Sequence, residues 1–303
     1  MVKSFLLFTI TLAVSNSLYS QTTLFIKSSN DNSPLIFASI SNISTKSSFS
    51  TDDAGIAKIK ATNGDTLLIT YVGYIDQKII VGKDHNHDTI ILERAEKSLK
   101  EIYVKSCKKY KDLLISNADS GKTIGGFSGV MCTKGNYNGK VAVKIQNGKE
   151  YAKLKSISFW LKKMWHFSPP YAIQSPLIIS FYSISDLNLP GYLLYQNPLI
   201  YFPKKVGKQE LKVDSIGVKV PPEGIFICIE FVMDEKYQWE QKVNDTIQIN
   251  QGVLIDGVYS NGFELSFFDY QSNCWIKPRS ENTQDPNRKH GTIRIEAKLK
   301  YCK

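Results

Sequence analysis

Phe159, Trp160, Trp165, His166, Phe167 and Tyr171 crowd into a single stretch, with Pro169 and Pro170 among them. Aromatic rings on a β-sandwich can stack on sugar rings or on a partner's apolar surface, because they give large contact area at low entropic cost. Trp160, Trp165, Phe167 and Tyr171 are the expected binding residues. Phe159 and Trp165 can equally serve a core, and Trp239 and Trp275 carry the same ambiguity. A second cluster, Asp84-His85-Asn86-His87-Asp88, sets two imidazoles two residues apart. On a strand they share a face and can reach one metal. A polar hairpin loop between Val81 and Thr89 accounts for the same residues. That loop is the expected reading, so no metal centre is expected, and His85 and His87 are the candidates if one exists.

Catalytic constellations are missing. No Ser lies in a G-x-S-x-G elbow. Ser120-Gly121-Lys122-Thr123 ends like a phosphate-binding loop, but Ser116 stands where that motif needs Gly. No cofactor is expected. A hydrolase of the glycosidase type can be built from scattered carboxylates. Asp214, Glu223, Glu230 and Glu264 are available for it in the C-terminal part. The five cysteines are Cys107, Cys132, Cys228, Cys274 and Cys302, with no C-x-x-C pair, which excludes zinc ribbons and thioredoxin-like redox motifs. Cys228, inside an apolar run, is expected to pack as a small apolar residue. Cys274 with Cys302 is the expected bridge, since both lie near the chain's end.

The 303 residues carry 38 Lys+Arg against 28 Asp+Glu, a formal net charge of +10. Residues 94–163 alone hold 16 basic and 5 acidic residues, so that segment accounts for the whole excess. Only Arg94, Arg279, Arg288 and Arg294 are arginines. Nucleic-acid readers lean on arginine forks, so no nucleic-acid partner is expected. Attraction to an anionic surface or an acidic glycan, or a plain solvated basic face, remains open.

These residues need elements to hold them. Lys3, the apolar run Phe5–Val14 and the small polar stretch to Ser20 read as a signal peptide over 1–20. No later run reaches the length of a membrane-spanning helix, so no transmembrane segment is expected in the mature chain. From 21 to 93, short apolar and β-branched runs alternate with Asn, Asp, Gly and Pro turns, the pattern of a sandwich. Residues 94–122 read as a linker, with a short helix at 108–117 from the spacing of Tyr110, Leu113 and Leu114, followed by a glycine-rich loop over 120–129. Residues 123–303 again read as strands, forming a second antiparallel, jelly-roll-like sandwich. The fold class is therefore all-β.

Three motifs in the first of these regions are familiar in combination: Pro34-Leu35-Ile36-Phe37-Ala38-Ser39-Ile40, Ser50-Thr51-Asp52-Asp53-Ala54-Gly55, and Leu67-Leu68-Ile69-Thr70-Tyr71-Val72-Gly73-Tyr74. Together they resemble the carboxypeptidase-like regulatory domain, a transthyretin-like β-sandwich common in exported and outer-membrane bacterial proteins. Ala57-Lys58-Ile59 departs from it where that family more often has an aromatic residue. The family's name comes from zinc carboxypeptidases, but a catalytic zinc needs about three closely spaced ligands. Only His85, His87, His166 and His290 are present, none in HxxE or HExxH. The resemblance implies an exported, non-catalytic binding or scaffolding protein of the cell envelope. It would sit in the periplasm, at the outer membrane or outside the cell, with a protein or a glycan as partner. The envelope hydrolase is the alternative.

Overall fold

The structure is a computed structural model and describes residues 21–82, 87–95, 109–118, 123–130, 137–148, 150–162, 174–243, 246–260, 263–269, 272–277 and 290–302. The first seven strands are β1 (Gln21–Ser28), β2 (Ser39–Asn42), β3 (Ser47–Ser50), β4 (Ile56–Lys60), β5 (Thr66–Thr70), β6 (Gln77–Ile80) and β7 (His87–Leu92). They form two sheets. Sheet 1 has the order β4-β1-β7, with β1 and β7 parallel, and sheet 2 the order β3-β2-β5-β6. The period-2 pattern sends Leu24, Ile26, Ile40, Ala57, Ile59, Leu67 and Ile69 into one core between them.

The motifs of this sandwich have local physical reasons. Thr51 Oγ1 donates to the Leu35 carbonyl at 2.6 Å and accepts from Ala38 N–H at 2.8 Å, pinning the Pro34–Ile40 segment to the strand end. Asp52 Oδ1 accepts from the N–H groups of Ala54 and Ile56, both at 2.9 Å, which is an Asx turn. Gly55 closes that turn at φ +72°, where an added Cβ would lie 2.8 Å from Pro34 Cβ. A side chain there meets both backbone strain and a clash.

The remaining strands are β8 (Tyr110–Ser116), β9 (Thr123–Val130), β10 (Tyr137–Ile145), β11 (Ala152–Leu161), β12 (Leu177–Ile184), β13 (Pro190–Leu193), β14 (Leu199–Tyr201), β15 (Gly207–Lys212), β16 (Lys219–Val220), β17 (Ile225–Phe231), β18 (Gln238–Val243), β19 (Thr246–Ser260), β20 (Leu265–Asp269), β21 (Cys274–Ile276), β22 (His290–Ile293) and β23 (Ile295–Cys302). Sheet 3 runs β13-β12-β17-β10-β20-β21, with β14 on β12. Sheet 4 runs β18-β19-β11-β23-β8, with β15 and β16 on β11 and with β9 and β22 on β19. Phe159, Phe181, Ile227, Ile229, Ile255, Ile295 and Leu299 fill the core between these two sheets. Each such fully buried side chain contributes about 1.5–3 kcal/mol relative to exposure. The expected all-β class is met, with two 3-10 turns and no α-helix among the described residues.

Two local expectations are overturned. Residues 110–116 form strand β8, not a helix, pairing with β23 from Ser116 opposite Glu296 to Tyr110 opposite Cys302. Leu113 and Ile115 pack against the core while Leu114 stays 55% exposed. The exposed Leu114 mimics a helical spacing, and sheet pairing decides the outcome. The glycine-rich 123–130 segment is strand β9, laddered on β19, not a loop.

The two sandwiches also pack on each other. Sheet 2 turns Ser39, Ser41, Ser48, Leu68 and Thr70 away from its own core, yet all five are buried. Leu68 and Ile43 pack with Phe268 and Trp275, and Phe37 and Val72 with Ile178 and Val232. Ser50 N–H donates to the Met233 carbonyl and Met233 N–H to Ser50 Oγ, both at 2.8 Å. Gly73, at φ +84°, lies where any Cβ would be driven into the Gln196 carbonyl. The contacts therefore stack the sheets in the order 1, 2, 3, 4, with a second, more polar seam between 2 and 3.

Candidate functional site

The outward face of sheet 4 holds the one described member of the predicted aromatic site. Ile157, Phe159 and Leu161 of β11 point into the core, so Ser158 and Trp160 face outward. The register places Lys208 of β15 directly opposite Trp160, and on the other side Ile295 opposite Phe159, which sets Arg294 in Trp160's row. Lys208 Nζ lies 4.9 Å and Arg294 Cζ 4.5 Å from the indole centroid. The partly buried ring is thus flanked by one cation from β15 and one from Arg294, the residue between β22 and β23. Trp165, Phe167 and Tyr171 lie outside the described residues, as does His85. His87 begins β7, and its side chain is outside the description.

Charges alternate around Trp160. Lys208 pairs with Glu296, Lys298 with Glu210 at 2.9 Å, and Arg294 and Lys162 with Asp256 at 3.4 and 3.3 Å. Ser156 Oγ donates to Glu210 at 3.0 Å. The Lys298 hydrogen bond, then that of Ser156, holds the Glu210 carboxyl below its ordinary value. The basic segment is therefore less one-sided than its composition. On β11 of sheet 4, Lys153 pairs with Asp214 at 3.1 Å and Lys155 with Asp112, itself of the basic segment, at 3.5 Å; on β10 of sheet 3, Lys140 and Lys144 pair with Glu230 and Glu264, both at 3.4 Å. The face is a mixed charge lattice around an aromatic centre.

The four candidate carboxylates do not converge. Asp214 opens a 3-10 turn and pairs with Lys153 at 3.1 Å. Glu223 sits in the exposed turn before β17. Glu230 and Glu264 flank Lys140 and Lys144 of β10. Those lysines are four residues apart, a backbone span of about 13 Å at the strand rise, and each carboxylate is tied to its own lysine. Glycosidase pairs need roughly 5–9.5 Å. Burial raises the Glu264 pKa, but Asn188, Lys144 and Lys277 outweigh it and leave the carboxyl below its ordinary value, the wrong direction for a general acid.

Sequence reasoning missed a buried polar cluster in the seam between sheets 2 and 3. Glu230 Oε1 accepts from Ser39 Oγ of sheet 2 at 2.5 Å, while its Oε2 lies 3.4 Å from Lys140 Nζ. The Lys140 ammonium lies 5.1 Å from the Phe268 centroid and 5.9 Å from that of Trp275. Trp275 in turn packs edge-on against Tyr182 and Phe268. Burial, then Tyr74 and Glu230, pushes the Tyr71 hydroxyl up to about 12, and burial pushes the Cys228 thiol up to about 12. The alternation of small hydroxyls on β2 and β3 was the available signal, because Ser39, Ser41, Ser48 and Ser50 share one face. Elsewhere Trp239 is a core residue whose Nε1–H donates to the Gly252 carbonyl at 2.9 Å. Cys228 is buried as expected. Cys274 is free and Cys302 is disulfide-bonded, so the expected bridge between them is not formed. Among the described residues, no group of three or more His, Cys, Asp or Glu is placed to hold a metal, and no helix is long and apolar enough to cross a membrane.

No family model and no curated protein matches the chain. Among solved structures, it is similar to the cysteine protease and lectin-like domains of Cwp84, a surface layer associated protein of Clostridium difficile. Identity is 9% and the TM-score 0.31, over 88% of this chain and 59% of that one. A likeness so distant carries no argument about function.

Proposed function

We propose that the protein is an exported, non-catalytic binding or scaffolding protein of the bacterial cell envelope, engaging a protein or glycan through the outward face of sheet 4. The observation that carries this reading is Trp160, partly exposed and flanked by Lys208 and Arg294 at the centre of a paired charge lattice. An aromatic ring preset by flanking cations gives a partner a rigid anchor, and alternating charges give orientation. Two cations lie close to the ring, so a partner group with oxygen acceptors is favoured over a bare apolar surface. Export is supported by the apolar N-terminal run and by the Cys302 disulfide, which fits an oxidising compartment. Assignment of the first sandwich to the carboxypeptidase-like regulatory type is supported by the local roles of Thr51, Asp52 and Gly55. Binding of an envelope glycan panel and of envelope extract by wild type and Trp160→Ala tests the reading. Partners retained by wild type and lost by the variant support it. Identical retention by both overturns it.

A further inference from the structure

The stack of sheets 1, 2, 3 and 4 has two end faces, the outward one of sheet 4 and the outward one of sheet 1. On sheet 1, period-2 alternation sends Leu24 and Ile26 of β1 into the first core and turns Thr23, Phe25 and Lys27 outward. The register sets Ile56 of β4 and Thr89 of β7 on either side of Phe25, Lys58 beside Thr23, and Ile91 beside Lys27. Phe25 and Ile56 are partly exposed, and Ile91 is 50% exposed. An apolar centre thus lies between Lys58 at one end and Lys27 at the other. Lys60, one row beyond Lys58, pairs with Glu235 at 3.5 Å. Lys27 and Lys58 meet no carboxylate among the described residues. Sheet 4 differs, since Lys153, Lys155, Lys208 and Lys298 on its strands each pair with one.

We propose that the outward face of sheet 1 seats the protein on an anionic lipid bilayer, with Phe25 and Ile91 entering the headgroup boundary and Lys27 and Lys58 meeting lipid phosphates. The charge on this face is of one sign and lacks internal partners, which suits a surface of opposite sign. Its apolar centre supplies the shallow insertion that holds a peripheral protein in place. Three strands at sheet spacing cover only about 300 Å², well under the roughly 800 Å² per partner of a stable protein interface. A bilayer needs no matching patch of that size. A second copy docked by two-fold symmetry would set these lysines against their own equivalents. At about 10 Å per sheet spacing, the Trp160 face of sheet 4 then lies about 30 Å from sheet 1 and looks away from the lipid. The two end faces thus divide the work, and this inference does not rest on the role given to Trp160.

Co-sedimentation at low salt with vesicles of phosphatidylcholine alone, and of phosphatidylcholine mixed with phosphatidylglycerol, tests this. Wild type should sediment with the mixed vesicles only, and added salt should release it. Lys27→Gln combined with Lys58→Gln should weaken partition about 30-fold, at about fivefold per lysine. Ile91→Ser should weaken it as well. Lys204→Gln combined with Lys205→Gln removes the same charge from exposed lysines between β14 and β15 and should bind as wild type does. Wild type that ignores the mixed vesicles overturns the proposal. Equal losses in the two double variants mark net charge alone and overturn it too, and sedimentation without vesicles marks a second copy as the occupant. If the Lys27 and Lys58 variant does not fold, undiminished binding by Ile91→Ser overturns the proposal by itself.

Discussion

On the outward face of sheet 3, Lys140 and Glu230 pair with their side chains only 9% and 5% exposed; on the outward face of sheet 4, Lys298 and Glu210 pair with theirs 49% and 40% exposed. Both pairs join neighbouring outward-facing side chains on one sandwich, so strand geometry does not separate them. What separates them is the cover. Sheet 2 lies over the first pair and supplies Ser39 as a third partner, whereas the second pair remains open to water. A charge pair removed from water costs several kcal/mol per ion in desolvation and is tolerable only when fully hydrogen-bonded. The covered face thus turns charge into a condition for docking, and the open face turns it into a surface for a partner.

In the open lattice, Glu210 is held below its ordinary value, first by the Lys298 hydrogen bond and then by that of Ser156. Glu210's contribution to stability is present above its unfolded value of 4.5 and is lost as pH falls through its lower folded value.

The comparison can be broken most sharply at Glu230. Glu230→Ala strips the buried ammonium of its carboxylate and should cost about 3–5 kcal/mol in urea unfolding, while replacing both Lys140 and Glu230 with Met should recover most of that. A loss below about 1 kcal/mol would place the pair in an exposed setting. Next comes Ser39→Ala, which removes a hydrogen bond to a charged acceptor across the seam and should cost about 1.5–3 kcal/mol by the same assay. On the open face, Trp160→Ala removes two cation–π contacts worth about 0.5–1 kcal/mol each, so its stability loss should be smaller than that of Glu230→Ala even as partner binding disappears. Smallest is Lys298→Ala, a loss below that of Trp160→Ala that should vanish near about 1 M salt, where screening reaches roughly 3 Å.

Much of the strand pattern was legible because period-2 alternation reports directly on a sheet with one buried face. Ile157, Phe159 and Leu161 are a plain case, and Thr51, Asp52 and Gly55 are turn chemistry within a few residues. The failures have a common cause. Tyr110, Leu113 and Leu114 fit a helix as well as a strand, and only pairing with β23, nearly two hundred residues away in the chain, decides between them. Nothing local announces a third sheet beneath Ser39 and Ser41. Glu230 lies 191 residues from Ser39, so their hydrogen bond is invisible to any window of sequence. The candidate site was legible at Trp160, but its flanking cations come from β15 and from Arg294 just before β23, whose alignment only the fold supplies.

The central claim, that sheet 2 is docked on sheet 3, is read most directly by hydrogen exchange at two amides. Ser50 N–H donates to the Met233 carbonyl and Met233 N–H to Ser50 Oγ, so both bonds exist only across the seam. Native-state exchange monitored by NMR should find both amides protected to the same degree as the core strand amides of β11 and β17, opening only with global unfolding. Exchange of Ser50 and Met233 at rates near those of an unfolded chain, with β11 and β17 still protected, would contradict the docked arrangement.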